Sequence, residues 1–248
     1  MGRHEQMHTI ERLANLDHHR ARRTGIPEAV FSEGKTPEQV VAILEQLAEK
    51  SGCALATRVT PECAAQAKEK LGGRYVVAHN QTGRTLVVQR KDYETKSTGG
   101  VIAVLCAGTA DAPVAEEAKV TAEVMGCEVH SFYDVGVAGI HRLVEPLETI
   151  LTKEVAAIVV VAGMEGALPS VVRGLVPVPV IGVPTSIGYG YGGKGEAALM
   201  AMLQSCAPGL TVVNIDNGFG AGATAALLAN QVAQARHSTP LMASLREK

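Results

Sequence analysis

Five apolar runs, each followed by a segment with helical spacing, constrain the fold of this chain more than any other feature. The runs span residues 101–107, 127–135, 155–162, 178–183 and 210–215, and the helical segments span 114–125, 141–151, 168–175, 196–206 and 221–235. Strands that are buried on both faces read as continuous apolar runs. Strand and helix in alternation predict an α/β fold, a doubly wound parallel sheet with right-handed crossovers.

The first part of the chain has a different pattern. Thr36 followed by Pro37 predicts the start of a helix over 36–50, and short strand-like runs follow at 54–59, 75–78 and 85–89. A polar stretch at 91–100 ends in Gly-Gly. We therefore predict a small N-terminal α+β domain over residues 1–95 and an α/β catalytic domain over residues 96–248.

Composition excludes several classes of protein. A net charge of -2 and 3% aromatic residues do not suit a nucleic-acid binder. The polar first 23 residues predict no signal peptide, and no apolar run could cross a bilayer, so we expect a cytoplasmic protein without a membrane partner. The five cysteines are scattered without CxxC spacing, which argues against disulfides and structural zinc. Small metabolites are the expected partners.

Glycine-bearing loops follow all five predicted strands, and in a parallel sheet these loops share one edge where ligands bind. Glu165, between Gly163 and Gly166, places one carboxylate at that edge, although a tight turn with a solvated Glu would read the same. Gly108 and Thr109 precede a helix and resemble an anion cradle, the alternative being an ordinary cap by Thr109 or Asp111.

Other loops carry further candidates. His141 and Arg142 pair a proton carrier with a fixed cation, or are simply a helix-start His and a surface Arg. Residues 188–194 have the spacing of a phosphate-binding loop, but Gly195 stands where Ser or Thr would hold magnesium, so we interpret them as a mobile lid. Residues 218–222 suggest a close contact between helix and strand. Cys206 is expected at a helix carboxyl end, which gives its thiol no special reactivity.

Together, several segments resemble the LarB family of nickel-pincer nucleotide cofactor biosynthesis. They are DVGVAGIHR at 134–142, AGMEGAL at 162–168, PTSIGYG at 184–190 and VNIDNGFG at 213–220, with RTGIPE at 23–28 and GKTPEQ at 34–39 upstream. The second half is similar to the carboxyaminoimidazole ribonucleotide mutase (PurE-like) family, which implies a flavodoxin-like, three-layer domain. Where that family has Gly-Ser-x-Ser-Asp, this chain has Gly-Thr-Ala-Asp at 108–111.

The resemblance implies pyridinium-3,5-biscarboxylic acid mononucleotide synthase activity. Such an enzyme carboxylates nicotinic acid adenine dinucleotide at pyridine C5 with carbon dioxide or bicarbonate, and hydrolyses the phosphoanhydride to release AMP. Cys206 would add to C4, with Glu165 or His141 as the base. The implied substrate-binding residues are Gly108, Thr109, Asp111, Asp134, Gly139, Arg142, Gly163, Met164, Gly166, Ser186 and Asn217. Magnesium held by Asp111, no organic cofactor, and a homo-octamer are also expected.

Two other functions fit the same sequence. A purine-pathway aminoimidazole ribonucleotide carboxylase or mutase would use the same fold and would need no cysteine. A noncatalytic nucleotide-binding sensor would use the crevice and the lid to bind a ligand without forming a product.

Overall fold

The computed structural model describes residues 14–238. The chain separates into two compact units, with the division between Thr95 and Lys96. Within the described residues, no helix combines the length and the apolar character that crossing a bilayer requires.

The N-terminal unit is built on a mixed four-stranded sheet. Its elements are α1 (Arg20–Thr24), β1 (Ala29–Phe31), α2 (Pro37–Ser51), β2 (Cys53–Thr57), α3 (Pro61–Leu71), β3 (Tyr75–Asn80) and β4 (Thr85–Arg90). The strand order is β1-β2-β4-β3, with β1 parallel to β2 and the other pairs antiparallel. Thr36 caps α2 in a reciprocal capping box with Gln39. The α+β character predicted for this part is therefore observed.

The C-terminal unit alternates strand and helix. Its elements are β5 (Val101–Cys106), α4 (Ala112–Val124), β6 (Glu128–Phe132), α5 (Val144–Thr152), β7 (Ala157–Ala162), α6 (Leu168–Arg173), β8 (Val180–Pro184), α7 (Glu196–Leu203), β9 (Leu210–Val212) and α8 (Gly218–Ser238). Short 3-10 turns lie at Thr109–Asp111, Val137–Leu143 and Gly190–Gly192. The strand order is β6-β5-β7-β8-β9 and every pair is parallel, which confirms the predicted fold class.

Helices cover both faces of this sheet. Helices α4 and α8 pack against each other and against β5 and β7, whereas α6 and α7 pack on β8 and β9. On the second face, Leu105, Ile158 and Val160 contribute to a core with Leu168 of α6 and Met202 of α7. The three central strands are almost completely buried, because each is covered from above and below.

Helix α8 lies unusually close to α4. A Cβ atom on Gly218 would meet the Val114 carbonyl oxygen at 2.3 Å, and one on Gly222 would meet the Ala118 carbonyl oxygen at 2.3 Å. Only glycine allows backbones this near one another. The close contact predicted for residues 218–222 is thus with a helix, and the expectation of a strand as its partner is wrong.

Several strands end earlier than the apolar runs suggest. Strand β6 ends at Phe132 and β9 ends at Val212, although the Val135 amide still donates to the Cys106 carbonyl and the Val213 amide to the Gly182 carbonyl. Residues 133–135 and 213–215 begin the loops at the carboxyl edge of the sheet. Hydrophobicity continues past the strand ends because parts of the loops are themselves buried, as at Val135.

Candidate functional site

The order of the strands defines one crevice. The connection from β5 to β6 moves to one side of β5, and the connection from β6 to β7 returns past it to the other side. At such a switch point the loops after the two diverging strands separate and leave space for a ligand. The loops after β5 and β7 therefore flank the candidate site, and they carry Gly108, Thr109 and Glu165.

The loop after β5 is held by the Asp111 carboxylate. One carboxylate oxygen accepts the Gly108 amide at 3.0 Å, and the other accepts the Thr185 hydroxyl at 2.5 Å. Burial raises the pKa of Asp111, although these hydrogen bonds act in the opposite direction. Asp111 is thus engaged by the protein itself, whereas Thr109 is exposed at the same turn. Direct contact of either residue with a ligand stays a prediction.

The loop after β6 is closed by an ion pair. Arg142 lies 2.8 Å from the Asp134 carboxylate, and its guanidinium also donates to the carbonyl oxygens of Gly136 and Gly139. Asp134 has a φ of 57°, which is rare for a residue with a side chain. A Cβ on Gly136 would meet the Ala107 carbonyl oxygen at 2.9 Å, so this loop lies directly against the loop after β5.

His141 lies in the same loop with its side chain exposed. It belongs to the 3-10 turn Val137–Leu143, and α5 begins only at Val144, three residues after the predicted start. Among the described residues, none forms a hydrogen bond or an ion pair with the imidazole. His141 is therefore a solvent-exposed side chain, whereas the Arg142 guanidinium is held by Asp134 and by two carbonyl oxygens.

The loop after β7 is a tight, strained turn. The Gly166 amide donates to the Gly163 carbonyl at 2.8 Å, and Met164 between them has a φ of 49°. A Cβ on Gly163 would meet the Ile187 carbonyl oxygen at 2.2 Å, so the turn packs without space against the loop after β8. Strain of this kind concentrates where a structure holds a group in position.

Glu165 is the group presented by that turn. Its side chain is exposed, and no described residue pairs with its carboxylate. A Cβ on the neighbouring Gly166 would meet the backbone of Ala198 in α7 at 2.8 Å, so the turn is fixed on this side as well. A free carboxylate on a rigid support at the crevice is suited to accepting a proton from a bound ligand.

The loops after β8 and β9 are joined by a second carboxylate. Asp216, with a φ of 56°, accepts the Ser186 amide at 2.8 Å, and the Asn217 side chain accepts the Gly220 amide at 2.8 Å as a cap for α8. The backbone at Ser186 is therefore held in place at the crevice by the Asp216 carboxylate. The ligand contacts predicted for Ser186 and Asn217 are not tested by this arrangement.

The predicted lid follows Ser186. Tyr189 and Tyr191 are exposed, and the glycines between Ile187 and Glu196 include several with positive φ, namely Gly188, Gly190, Gly193 and Gly195. Gly195 lies at the start of α7, where a Cβ would meet the Thr185 carbonyl oxygen at 2.7 Å. The backbone of this segment is one that only a glycine-rich sequence adopts easily.

Sequence reasoning missed two residues that organise the site, Thr185 and Asp216. Thr185 is completely buried and links the loop after β8 to Asp111. The sequence offered two signals for them, a threonine directly after a buried strand and an aspartate directly before Asn-Gly.

Cys206 lies away from these loops. Helix α7 ends at Leu203, so the prediction that it extends to Cys206 is wrong; Gln204 caps the helix and the chain turns before Pro208. The turn leads into the amino end of β9, where the Gly209 carbonyl accepts the Val180 amide at 3.2 Å. Within one chain the structure therefore does not bring Cys206 together with Glu165.

The other cysteines of this unit are buried. The Cys106 thiol lies at the end of β5 and donates to the Gly108 carbonyl at 2.9 Å. Burial raises the pKa of the Cys106 thiol to about 12 and also raises the pKa of Cys127. Of the five cysteines in the sequence, all within the described residues, only Cys206 is exposed.

The Asp111 carboxylate, which is expected to hold magnesium, is already bonded within the protein, and magnesium at this residue stays a prediction. Both Asp111 oxygens accept hydrogen bonds from Thr185 and Gly108. Residues 14–238 contain no group of three or more His, Cys, Asp or Glu side chains that could hold a metal ion. Magnesium commonly binds through substrate phosphates with only one or two protein carboxylates.

Comparison with known proteins agrees with this architecture. Residues 7–91 match the family described as the LarB/PurE-like N-terminal domain, and residues 101–248 match the AIR carboxylase family. The chain belongs to the LarB family. An uncharacterized protein of Methanocaldococcus jannaschii is 47% identical over 228 residues, which cover 89% of this chain and 85% of that protein. The two domains together point to an enzyme of the carboxylase or mutase type.

Proposed function

We propose that this LarB-family protein carboxylates nicotinic acid adenine dinucleotide at pyridine C5 and hydrolyses its phosphoanhydride, giving pyridinium-3,5-biscarboxylic acid mononucleotide and AMP. The observation that carries the proposal is the unpaired Glu165 carboxylate on its rigid turn, beside the Gly108–Thr109 loop at the switch point of the sheet. A carboxylation that replaces a ring proton needs such a base next to an anion-binding loop.

The chemistry begins with activation of the ring. A pyridinium is electron-poor and does not attack carbon dioxide, so a nucleophile must first add to it. The Cys206 thiolate, supplied by a neighbouring subunit of the expected homo-oligomer because it lies away from Glu165 of its own chain, forms a C–S bond at C4, which converts the ring into a dihydropyridine. Carbon C5 is then enamine-like and forms the new carbon–carbon bond with carbon dioxide.

Aromaticity is restored in two steps. The C5 proton passes to Glu165, with His141 as the alternative acceptor, and the C4–S bond breaks to release the thiolate. A carboxylate has replaced the C5 hydrogen and one proton has been released, without any change in oxidation state. The oriented Glu165 turn and the fixed loop backbones position the ring for this sequence.

The second part of the reaction cleaves the phosphoanhydride. Water adds to one phosphorus, and the bond to the bridging oxygen breaks to release AMP. The amide and hydroxyl of Thr109, at the turn that leads into α4, are suited to hold a phosphate. Arg142 supplies a nearby cation whose orientation is already set by Asp134.

The test is a product assay. Purified protein is incubated with nicotinic acid adenine dinucleotide, magnesium and isotopically labelled bicarbonate, and products are identified by mass spectrometry. We expect labelled biscarboxylated mononucleotide and AMP from the wild type, and a loss of at least about 100-fold in Glu165→Gln. Glu154→Gln is the matched control, because Glu154 is an exposed carboxylate at the far end of β7, paired with Arg236. Absence of labelled product from the wild type would refute the proposal.

A second candidate is an aminoimidazole ribonucleotide carboxylase or mutase, because residues 101–248 match the AIR carboxylase family. Offering aminoimidazole ribonucleotide and bicarbonate in the same assay distinguishes the two reactions. A purine-type reaction needs no thiol, so Cys206→Ala would retain that activity.

A further inference from the structure

The N-terminal unit carries two arginines at the edge of its sheet where β1 and β2 end. At this edge the Ser32 amide donates to the Thr57 carbonyl at 3.0 Å, and the Val59 amide donates to the Arg84 carbonyl at 2.8 Å. These two bonds bring the loops after β1 and β2 beside the turn that precedes β4. Arg58 and Arg84 are therefore neighbours, although 26 positions separate them in the chain.

Both arginines converge on a single oxygen atom of Glu33. Arg58 Nη1 and Arg84 Nη2 each lie 3.8 Å from Glu33 Oε1. A charge-assisted hydrogen bond between a guanidinium and a carboxylate is about 2.7–2.9 Å long, so neither contact is a hydrogen bond. The exposed Glu33 side chain therefore marks a point to which both guanidinium groups attract an anionic oxygen.

Both arginines also have a strained backbone. The φ angle is 58° at Arg58 and 49° at Arg84, a region in which glycine, asparagine and aspartate are the usual residues. The Arg84 guanidinium donates to the Arg58 carbonyl at 3.3 Å, which holds one side chain against the other backbone. Strain of this kind concentrates at positions that bind ligands, and two adjacent loops have it here.

A third cation, Lys35, lies in the turn after β1. The Lys35 amide donates to the Ser32 carbonyl at 3.1 Å, and the Lys35 ammonium donates to the Phe31 carbonyl at 2.7 Å. Between Ser32 and Lys35, Gly34 has a φ of 78°, and a Cβ there would meet nothing within 4 Å. The space beside this turn is therefore open to a ligand.

The helices that begin at this edge do not supply its positive charge. Helices α2 and α3 follow β1 and β2, so their amino ends lie where those strands end. Their first turns contain Glu38 and Glu62, and carboxylates at these positions balance the helix dipoles. Attraction for an anion must come from the side chains of Arg58, Arg84 and Lys35.

A buried hydroxyl lies in the same turn. Ser32 is 7% exposed, and among residues 14–238 its Oγ atom has no hydrogen-bond partner. Side chains alternate along β1, with Val30 in the core and Phe31 exposed, so Ser32 faces the helices whose amino ends lie at this edge. Buried polar atoms in folded proteins nearly always have a partner, so the Ser32 hydroxyl is a donor that a ligand would satisfy.

We propose that this edge of the N-terminal unit binds a phosphate group, which replaces the Glu33 carboxylate between Arg58 and Arg84. The Lys35 ammonium and the Ser32 hydroxyl complete the set of donors. A phosphate carries more negative charge than a carboxylate and has more acceptor oxygens, so it satisfies two guanidinium groups where one carboxylate oxygen does not. The phosphate is inorganic or belongs to a nucleotide such as AMP. The site is outside the crevice and does not depend on the proposed function.

Protection from chemical modification tests the site residue by residue. The full-length protein is treated with phenylglyoxal, which modifies guanidinium groups, and peptide mass spectrometry identifies the modified arginines. We expect millimolar inorganic phosphate to protect Arg58 and Arg84. Arg74 should stay unprotected, because it pairs with Glu45 at the opposite edge of the sheet. No protection by phosphate, or equal protection by chloride at the same ionic strength, would overturn the proposal.

AMP and adenosine identify the source of the phosphate. Protection by AMP at a lower concentration than inorganic phosphate would support a nucleotide as the ligand, and protection at equal concentrations would support recognition of the phosphate group alone. Adenosine lacks the phosphate and should not protect either arginine. Protection by adenosine would contradict a phosphate site.

Removal of Glu33 distinguishes a ligand site from an ordinary group of ion pairs. In Glu33→Gln the phosphate concentration for half-protection of Arg58 and Arg84 should fall about tenfold, because the competing carboxylate is gone. In Lys35→Gln it should rise about threefold, because one cation is lost. Glu45→Gln is the matched control and should leave it unchanged, since Glu45 pairs with Arg74. An unchanged or higher value in Glu33→Gln would contradict the proposal.

Ser32→Ala separates binding from folding. Removal of a buried hydroxyl that has no partner should not lower the temperature of thermal unfolding without phosphate. Phosphate should raise that temperature less in Ser32→Ala than in the wild type, because it binds the variant more weakly. A variant that is destabilised without phosphate, and is protected by phosphate as well as the wild type, would contradict the proposed set of donors.

Discussion

The Thr185 hydroxyl donates to the Asp111 carboxylate at 2.5 Å, and this contact joins the loop after β8 to the loop after β5. Thr185 is completely buried, and Asp111 is nearly so. The two loops belong to strands that are separated by β7 in the sheet. The candidate phosphate loop is therefore positioned by a residue on the opposite side of the crevice.

Removing the Thr185 hydroxyl should lower both the stability of the fold and the affinity for the substrate. Thr185→Val keeps the shape of the side chain but leaves a buried carboxylate oxygen without its donor, which costs about 1–3 kcal/mol in the free energy of unfolding. Urea unfolding measures this cost, and KM for the dinucleotide should rise as the Gly108 loop loosens. Thr211→Val is the control, since the Thr211 hydroxyl meets the Val180 carbonyl at the other end of the sheet. Equal effects of the two substitutions would show that Thr185 has no special role.

Asp111 should give stability a distinct pH dependence. Burial raises its pKa above the ordinary value of 3.8, so the unfolded chain releases this proton first as pH rises. The contribution of Asp111 to stability is therefore fully present below pH 3.8 and is lost as pH rises through the pKa of the folded state. We expect the stability of the wild type relative to Asp111→Asn, measured by urea unfolding, to fall across that window.

The Thr185 hydrogen bond provides an internal check on this window. That bond lowers the pKa of Asp111 against the effect of burial. In a Thr185→Val background the loss of stability should therefore extend to higher pH. A window that moved downward, or a relative stability that increased with pH, would show that the Asp111 carboxylate is stabilised in its charged form.

The five cysteines should differ sharply in reactivity. Cys206 is exposed, whereas burial raises the pKa values of Cys53, Cys63, Cys106 and Cys127. Short treatment of the native protein with a maleimide in nondenaturing buffer should label Cys206 first, and unfolding should expose all the others. Peptide mass spectrometry identifies the labelled sites, and Cys206→Ala should lose the rapid phase. Early labelling of Cys106 would contradict the burial described for β5.

Gly163 should not tolerate even one added methyl group. In Gly163→Ala the new Cβ would lie 2.2 Å from the Ile187 carbonyl oxygen and 2.7 Å from the Thr185 hydroxyl, so the loops must separate. We expect a loss of about 1–3 kcal/mol and a large loss of activity. Gly174→Ala is the matched control, because its nearest neighbour would lie at 3.5 Å, an ordinary contact. A stable and active Gly163→Ala protein would show that this packing is dispensable.

Much of the C-terminal fold follows from the sequence because its strands are buried on both faces and therefore apolar throughout. The run at 155–162, for instance, contains β7 with every residue buried. The end of α7 could not be predicted in the same way, because the helical backbone stops at Leu203 whereas the first helix-breaking residues, Pro208 and Gly209, come later in the chain. Hydrophobic periodicity locates an element more reliably than it locates its last residue.

The candidate site was partly predictable for a related reason. Glu165 and the Gly108 loop were found because they directly follow apolar runs, and the carboxyl ends of parallel strands share an edge. The link between Asp111 and Thr185 was not found, because the two residues are 74 positions apart and meet only when the strand order is known. Likewise, no local pattern shows that the Cys206 turn lies at the opposite end of β8.

Three non-glycine residues at the crevice, Asp134, Met164 and Asp216, adopt the left-handed backbone conformation. Glycine adopts this conformation at a lower cost in free energy. Each such residue costs roughly 1–2 kcal/mol relative to an unstrained position. Laboratory evolution for heat tolerance and laboratory evolution for activity should therefore favour different residues at such a position. Selection for heat tolerance alone should enrich glycine at position 164, because Asp134 and Asp216 also hold Arg142 and the Ser186 amide, whereas selection for turnover should restore methionine. The ratio of the two outcomes would report how much thermal tolerance this enzyme gives up at its crevice.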